Sequence, residues 1–500
     1  MKELIELAFL IKQNKASEDA LLNTKNPKIA QFYEFLLKDI SLTDESAVQL
    51  LFKVPNKRLP AYQKLKTTLK DRFINSIFLF DTTKLAVTRR EAAYYDTLKE
   101  LAAAKTLLIK KARHSGIALS LRVLQQAIEY EFTDLSLDIV GLLRLYYGTI
   151  EGNIEKFEYY KNLYNELAHT RQYENKSEVY YTTLIVNYIN KKASRAEIHY
   201  KATEYYNDIK EILLHNTSYS LQLSGNLIHI LVYTSINDYA STLRVCEEVI
   251  HFFEAKPYAS HTALQAFLFQ KLVCHIHLKQ YEEGIATLDK CQHLVKQGLF
   301  NWFKIQEMNL LLSLHTGRYQ EAHAVFTEAI NDKAYNQLKV NTKEIWKIYH
   351  AYLYYLHLGK KISVQEGNRE FTKFRIGKFL NEMPHYSKDK QGVNISIIII
   401  QILLLLLHRQ YSDVADRIEA VRKYHFRYLK QEDTLRSNYF VKMLIQIPSA
   451  GFNKELVQKK TAPNLKKLQS VSLEIANQSH NIEIIPYEDL WKLVITTLRG

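Results

Sequence analysis

Apolar residues recur along most of the chain at the three- and four-residue spacing that places them on one face of a helix. Tyr319, Ala322 and Phe326 fall on one such face. Pro60 opens another helical stretch, and residues 41–45 carry the hydroxyl and acidic side chains of a helix start. The pattern predicts about twenty helices, and residues 481–485 are the single candidate for a short strand.

The most apolar stretch is residues 395–407, where only Ser396 and Gln401 interrupt a run of isoleucine and leucine. As a helix this stretch would be about 20 Å long, whereas the hydrocarbon layer of a membrane is about 30 Å thick. We therefore predict a buried central helix and no membrane span.

Four short polar connections separate an apolar helix from an amphipathic one, and each ends in tyrosine. They are Asn237-Asp238-Tyr239, Lys279-Gln280-Tyr281, Gly317-Arg318-Tyr319 and Arg409-Gln410-Tyr411. Their tyrosines lie 42, 38 and 92 residues apart, and a degenerate turn at residues 358–360 divides the last interval. Two-helix units of about 40 residues are typical of an α-solenoid, in which each hairpin buries its apolar face against its neighbours.

One of these units carries a more specific pattern. The turn at residues 317–322 has the sequence Gly-Arg-Tyr-Gln-Glu-Ala and is followed by Phe326 and Ala329. This unit resembles the second half of a tetratricopeptide repeat, in which the glycine and the aromatic residue shape the turn. Leu310 replaces the family's usual small residue, Ala334 stands where a proline would close the unit, and the spacing exceeds the family's 34 residues.

The resemblance covers residues 220–430 and reaches the superfamily only. It implies a binding scaffold and brings no catalytic residue. The structural residues of the repeat turns would be Tyr239, Tyr281, Gly317, Tyr319, Ala322 and Tyr411.

The predicted fold class is all-α, an α-α superhelix of two-helix repeats with less regular ends. We expect an irregular helical N-terminal module at 1–85, degenerate helical hairpins at 86–219, and tetratricopeptide-like repeats at 220–447. Residues 448–500 would form a linker, including residues 459–463, and a small C-terminal cap. The composition agrees with this fold, since 14 glycines and 8 prolines are few for a sheet protein of 500 residues.

Cysteine content and the first residues bear on the compartment. Three cysteines in 500 residues argue against a disulfide framework and for a reducing environment. Glu3 and Glu6 stand among the first six residues, where a secretory signal would be basic. We therefore expect a cytoplasmic protein.

The formal net charge of +14 is uneven, because residues 360–467 contain 21 Lys and Arg against 10 Asp and Glu. This excess indicates either a solvated helical surface or attraction for acidic or phosphate-rich partners. Basic residues with interleaved aromatic residues suit phosphates and stacked bases, and equally acidic peptides. The candidate partner-binding residues are Arg369, Lys373, Arg375, Lys378, Lys423, Arg427 and Lys430.

Five neighbouring residues, Cys274, His275, His277, Cys291 and His293, carry atoms that zinc prefers. The predicted turn between them lies six residues after the first cysteine and eleven before the second. In an antiparallel hairpin this offset misaligns the two thiols by about 7 Å. We therefore expect residues of a repeat and no metal site.

Other chemistry is equally unsupported by the residue pattern. No pair of glycines has the spacing of a dinucleotide or phosphate loop. Adjacent carboxylates such as Glu247 and Glu248 diverge on one helix and do not form an acid–base pair. We predict no enzyme and no cofactor.

The leading functional hypothesis is a non-catalytic scaffold that binds a peptide or helix of a protein partner in a solenoid groove. The alternative is a nucleic-acid-binding or regulatory helical-repeat protein that uses the basic residues of 360–467. The sequence identifies neither the partner nor the oligomeric state.

Overall fold

The computed structural model describes most of the chain. The described residues are 1–54, 57, 59–81, 88–189, 194–364, 371, 374–375, 377–379, 393–428, 435–471 and 483–499. Across these residues the protein is all-α, as the sequence predicts, and an isolated bridge between Asn453 and Arg499 is the one β-type pairing.

The chain forms two compact units. Residues 1–173 with 257–259 make the first unit, and residues 174–256 with 260–500 make the second. The predicted division into four regions is finer than this and stays a prediction.

Five helices at the start of the first unit share one hydrophobic core. They are α1 (Lys2–Lys12), α2 (Lys15–Leu22), α3 (Pro27–Lys38), α4 (Asp44–Phe52) and α5 (Pro60–Ile77). Phe32, Tyr62 and Phe73 are fully buried in this core. Thr43 caps α4 by accepting the backbone N–H of Ser46 at 3.2 Å, so the helix start predicted at residues 41–45 is confirmed.

Four further helices continue the chain as consecutive neighbours. They are α6 (Arg89–Ile109), α7 (Arg113–Glu129), α8 (Thr133–Tyr146) and α9 (Ile154–Ile189). A single π-helical turn, Tyr147–Glu151, separates the last two. Helix α9 belongs to the first unit up to Tyr173 and to the second unit from Glu174.

The second unit continues as a succession of helices in which sequence neighbours pack together. They are α10 (Arg195–His215), α11 (Tyr219–Thr234), α12 (Tyr239–Glu254), α13 (His261–Leu278), α14 (Tyr281–His293), α15 (Phe300–His315), α16 (Tyr319–Asn331), α17 (Val340–Leu358), α18 (Val393–Leu407), α19 (Tyr411–Tyr428), α20 (Leu435–Ser449), α21 (Lys454–Gln469) and α22 (Tyr487–Thr497). Helix α18 confirms the predicted buried helix, since Ile399, Leu403 and Leu404 are fully buried.

One turn geometry recurs between consecutive helices. A residue one to three positions after the first helix adopts a left-handed backbone, with φ of +60° at Asn237, +56° at Lys279, +74° at Gly317 and +56° at Arg409. The next N–H then reaches back to a helical carbonyl, as from Arg318 to Ser313 at 2.8 Å. This bond satisfies a carbonyl that the end of the helix would otherwise leave free.

The turn geometry leads to a prediction about stability. Replacing Gly317 by alanine should lower the free energy of unfolding by about 1 kcal/mol, because a Cβ atom disfavours the left-handed backbone. Arg409→Gly should have the opposite sign. Gly359→Ala is the matched control, since Gly359 has φ of −75° and should change stability by less than about 0.5 kcal/mol. Urea unfolding of the three variants measures this, and equal effects at Gly317 and Gly359 would contradict the explanation.

Two predictions about the C-terminal region are wrong. Residues 459–463, predicted as a linker, lie inside α21, because Val457, Thr461 and Leu468 are buried and hold a helix that contains Pro463. Residues 483–485 form no strand, since their side chains pack into the helical core instead. The other two residues of that predicted strand lie outside the described residues.

Candidate functional site

The structure places the predicted basic residues only in part. Arg375 and Lys378 are exposed. Lys423 and Arg427 lie on α19, but their side chains are outside the described part of the chain, as are Arg369, Lys373 and Lys430 entirely. Partner binding by these seven residues therefore stays a prediction.

The basic excess of residues 360–467 is partly neutralised from outside that range. Arg436 is only 3% exposed and pairs with Glu483 and Glu488, which lie further along the chain. Exposed lysines do remain on α21, including Lys459, Lys460, Lys466 and Lys467.

The tyrosines of the repeat turns join successive hairpins. The ring of Tyr239 stacks on that of His277 at 4.5 Å, and the guanidinium of Arg318 lies 4.1 Å from the ring centre of Tyr281. The ring of Tyr411 lies 4.4 Å from that of Phe452. In each case the tyrosine opens the second helix of one hairpin, and its partner lies at the turn of the next.

The remaining turn residues pack at the start of the second helix of their hairpins. Tyr319 is half-buried at the start of α16, and Ala322 is fully buried one turn later. Gly284 holds the equivalent of Ala322 in the preceding hairpin. A Cβ atom on Gly284 would lie 2.5 Å from a methyl carbon of the buried Leu312, so the two helices approach too closely for a larger residue.

Residues 483–499, called here the C-terminal segment, contact helices of several hairpins. These are α15, α18, α20 and α21, together with the turn that follows α13. The segment comprises a short non-helical stretch followed by α22, and α22 packs on α18, α20 and α21. Its hydrogen bonds and ion pairs reach back as far as Lys279, immediately after α13, which is 210 residues away along the chain.

Arg436 of α20 forms the main polar contact with the C-terminal segment. Its Nε lies 2.6 Å from Oε1 of Glu483, and its Nη2 lies 2.6 Å from Oε2 of Glu488. The same guanidinium donates to the carbonyls of Leu468 and Val471, at 3.1 and 2.6 Å. Burial opposes the charge, but the two carboxylates outweigh burial and raise the pKa of Arg436. Arg436 is therefore a permanent cation at the centre of the contact.

Three further polar contacts hold the segment at other helices. Nζ of Lys279 lies 2.9 Å from Oδ2 of Asp489, and the ring Nε2 of His315, the last residue of α15, lies 2.5 Å from the carbonyl oxygen of Glu483. Near the C-terminus, the backbone N–H of Arg499 donates to the carbonyl of Phe452 at 3.0 Å.

The apolar side of the segment is buried among aromatic rings. The ring of Tyr487 stacks on that of Phe440 at 4.5 Å, and Trp491 meets the same ring edge-on at 6.1 Å. Leu490 and Val494 are fully buried one turn apart. The segment thus combines carboxylates at its start with an aromatic and aliphatic stripe along its helix.

Buried histidines line the same region. Neither ring nitrogen of His277 has a hydrogen-bond partner, and its ring lies 6.4 Å from that of His315. Burial, and then the nearby His315, lowers the pKa of His277 well below its ordinary value. Burial likewise lowers the pKa of His315 to about 4. The neutral His315 can donate from Nε2 to the carbonyl of Glu483.

The three cysteines lie in the core of the second unit. Cys246, Cys274 and Cys291 are buried free thiols, and burial raises the pKa of the last two to about 12. Such thiols are protonated at neutral pH and are poor nucleophiles. Among the described residues, no group of three or more His, Cys, Asp or Glu side chains is placed to hold a metal ion.

Sequence reasoning missed the C-terminal segment as a site. The sequence predicts only a small cap for these residues. Nothing in the sequence around Glu483 or Arg436 indicates that the two side chains pair, since they lie 47 residues apart along the chain.

In the part of the chain that the structure describes, no helix combines the length and apolar character needed to cross a membrane. No family model, curated protein or solved structure matches this chain.

Proposed function

We propose that this chain is a non-catalytic scaffold of the tetratricopeptide-like superfamily, and that it acts in the cytoplasm. In this proposal the hairpins of residues 220–447 form a superhelix whose groove binds a peptide or helix of a protein partner. Stacked two-helix units produce extended surfaces of this kind.

One observation supports the proposal above the others. Helices α18, α20 and α21, with the turn after α13, jointly hold a short helix, α22, through ion pairs at Lys279 and Arg436 and aromatic contacts at Phe440. This is the helix-in-groove mode of recognition, in which an amphipathic helix lays its apolar face against an apolar surface. A surface that holds one such helix has the shape and chemistry to bind another.

The test is recovery of the tagged protein with its partners after crosslinking in the cell, with and without nuclease, followed by mass spectrometry. We expect a stoichiometric protein partner that survives nuclease, with crosslinks concentrated in residues 220–447. Recovery of nuclease-sensitive material alone would contradict the scaffold.

The second candidate function is nucleic-acid binding, and the observation that favours it is the lysine-rich surface of α21. Lys459, Lys460, Lys466 and Lys467 are exposed there. If this surface binds nucleic acid, the affinity for an oligonucleotide should fall steeply with salt, in proportion to the number of phosphates contacted. Replacing the four lysines by glutamine should then abolish binding, whereas a protein partner bound at the first helices would be retained.

A further inference from the structure

We propose that the C-terminal segment is an intramolecular ligand of its own scaffold, and that it competes with a partner for the surface of α15, α18, α20, α21 and the turn after α13. This inference rests on the proposed function and adds the position of the binding surface, the chemistry of the partner and the mode of regulation. The surface is occupied in the isolated chain, so a partner must displace residues 483–499.

The geometry of the segment is that of a bound peptide. Its contacts reach from Lys279 to Phe452, whereas a terminal cap would contact the last hairpin alone. Glu483 meets His315 and Arg436, Asp489 meets Lys279, and Arg499 meets Phe452 and Tyr411. A chain segment that crosses several repeats in this way can be replaced by another segment of the same chemistry.

The segment also depends on the surface for its own structure. Helix α22 has 11 residues, which is below the length at which an isolated helix is stable in water. It gains its helical form through burial of Leu490, Trp491 and Val494. A free peptide of this sequence would therefore fold only on binding, as recognition segments commonly do.

The contacts define the chemistry of the partner. Arg436 accommodates two carboxylates, those of Glu483 and Glu488, which stand five positions apart. The helix that follows presents Tyr487, Trp491 and Val494 at the i, i+4 and i+7 positions of one face. The partner segment should accordingly carry acidic residues at its N-terminal end and an aromatic, aliphatic stripe on the helix behind them. A basic segment would leave Arg436 and Lys279 without counter-charges.

The covalent tether gives the chain's own segment a large advantage. A tethered ligand acts at an effective concentration in the millimolar range, so it raises the apparent dissociation constant of any competitor. Cutting the tether removes this advantage, and we expect the affinity for a competing peptide to rise on the order of a hundredfold.

The experiment uses the full chain with a site-specific protease sequence inserted between Val471 and Glu483. The probe is a fluorescein-labelled synthetic peptide of residues 483–499, and fluorescence anisotropy follows its binding before and after cleavage. We expect negligible binding to the uncut chain and saturable, reversible binding to the cut chain, with circular dichroism unchanged. The insertion changes no residue of the contact surface, so the scaffold keeps its wild-type sequence there.

Variant peptides test the assigned chemistry on the same cut protein. A peptide with Glu483→Gln and Glu488→Gln should bind at least about thirtyfold more weakly, because the buried guanidinium of Arg436 would lose both counter-charges. Trp491→Ala should weaken binding to a similar extent. Thr496→Ala is the matched control and should leave affinity unchanged, since Thr496 is exposed and its hydroxyl donates to the carbonyl of Leu493 within the same helix.

Several results would overturn the inference. Unfolding of the cut chain, or a cut segment that never exchanges with the peptide, would show that residues 483–499 are a permanent part of the core. Equal affinity for the wild-type and double-glutamine peptides would contradict the assignment of an acidic partner segment. Dimers of the uncut chain that become monomers on peptide addition would assign the segment to a second copy. Each of these failures leaves the crosslinking test of the scaffold unaffected, because that test detects a partner at any surface.

Discussion

Replacing Arg436 by alanine is expected to lower the free energy of unfolding of the second unit by about 3–5 kcal/mol. The change removes the donor for Glu483, Glu488 and the carbonyls of Leu468 and Val471 at a site where Arg436 is 3% exposed. Two carboxylates left in an apolar interior lose the partner that compensates for their lost hydration. The expected cost therefore far exceeds that of losing a surface ion pair.

The measurement is hydrogen exchange of the amides of α22 together with urea unfolding, because a long helical array need not unfold in one cooperative step. Lys290→Ala is the matched control. It breaks the exposed pair between Lys290 and Glu254 at 2.8 Å and should cost less than about 1 kcal/mol.

The chemical origin of the effect can be tested with compensating substitutions. Replacing Arg436, Glu483 and Glu488 together by methionine, leucine and leucine should recover most of the stability lost in Arg436→Ala, because apolar residues of similar volume need no counter-charge. A loss below 1 kcal/mol in the single variant would show that water reaches the carboxylates and that the pair is not essential.

Periodicity predicts helices well in this chain because the local pattern and the tertiary burial agree. Residues 319–330 and 395–407 each present the apolar positions that the structure buries in α16 and α18. Turns were predicted where glycine or tyrosine marks them. The same left-handed geometry occurs at Lys111 and Glu131, with φ of +63° and +55°, although neither lysine nor glutamate favours a left-handed backbone. At these positions the helix end, rather than intrinsic preference, imposes the backbone.

The charge of a sequence range was the least informative signal for a binding surface, because charges interact through space and not along the sequence. Residues 360–467 are basic in sequence, yet Arg436 forms ion pairs with Glu483 and Glu488, which lie outside that range. The prediction of a linker at residues 459–463 was wrong for a related reason, since Thr461 is buried and its burial stabilises this stretch as part of α21. Neither pairing can be inferred from a single sequence, because both require knowledge of which distant helices meet.

The second large effect expected is a loss of stability in mild acid. Burial lowers the pKa of His229 and of His315 to about 4, from an ordinary value of 6.5. Between pH 6.5 and pH 4 the unfolded chain therefore binds a proton on each ring that the folded protein does not bind. Stability then falls as the pH falls, by at most about 1.4 kcal/mol per pH unit for each ring and by about 2.5 kcal/mol per ring over the window.

Buried His277 adds to the same loss, because its pKa is also lowered and its ring nitrogens have no partner. Lowering the pH from 6.5 to 5.5 should thus reduce the free energy of unfolding by about 3 kcal/mol in total, because each ring is already half protonated in the unfolded chain at pH 6.5. This range lies above the ordinary pKa of carboxyl groups. Burial raises the pKa of Glu483, and protonation of that carboxyl in the folded protein would act in the opposite direction. Urea unfolding at pH 7.5, 6.5 and 5.5 measures the slope.

Single variants assign the slope to individual rings. His229→Phe retains a ring over Tyr206, which His229 stacks on at 3.9 Å, and His315→Gln retains a donor for the carbonyl of Glu483. Each variant should lose about 1 kcal/mol less than the wild type between pH 6.5 and pH 5.5. His215→Gln changes an exposed side chain on α10 and should keep the wild-type slope. If all three variants keep that slope, the acid sensitivity comes from other groups and the buried rings are already charged in the folded protein.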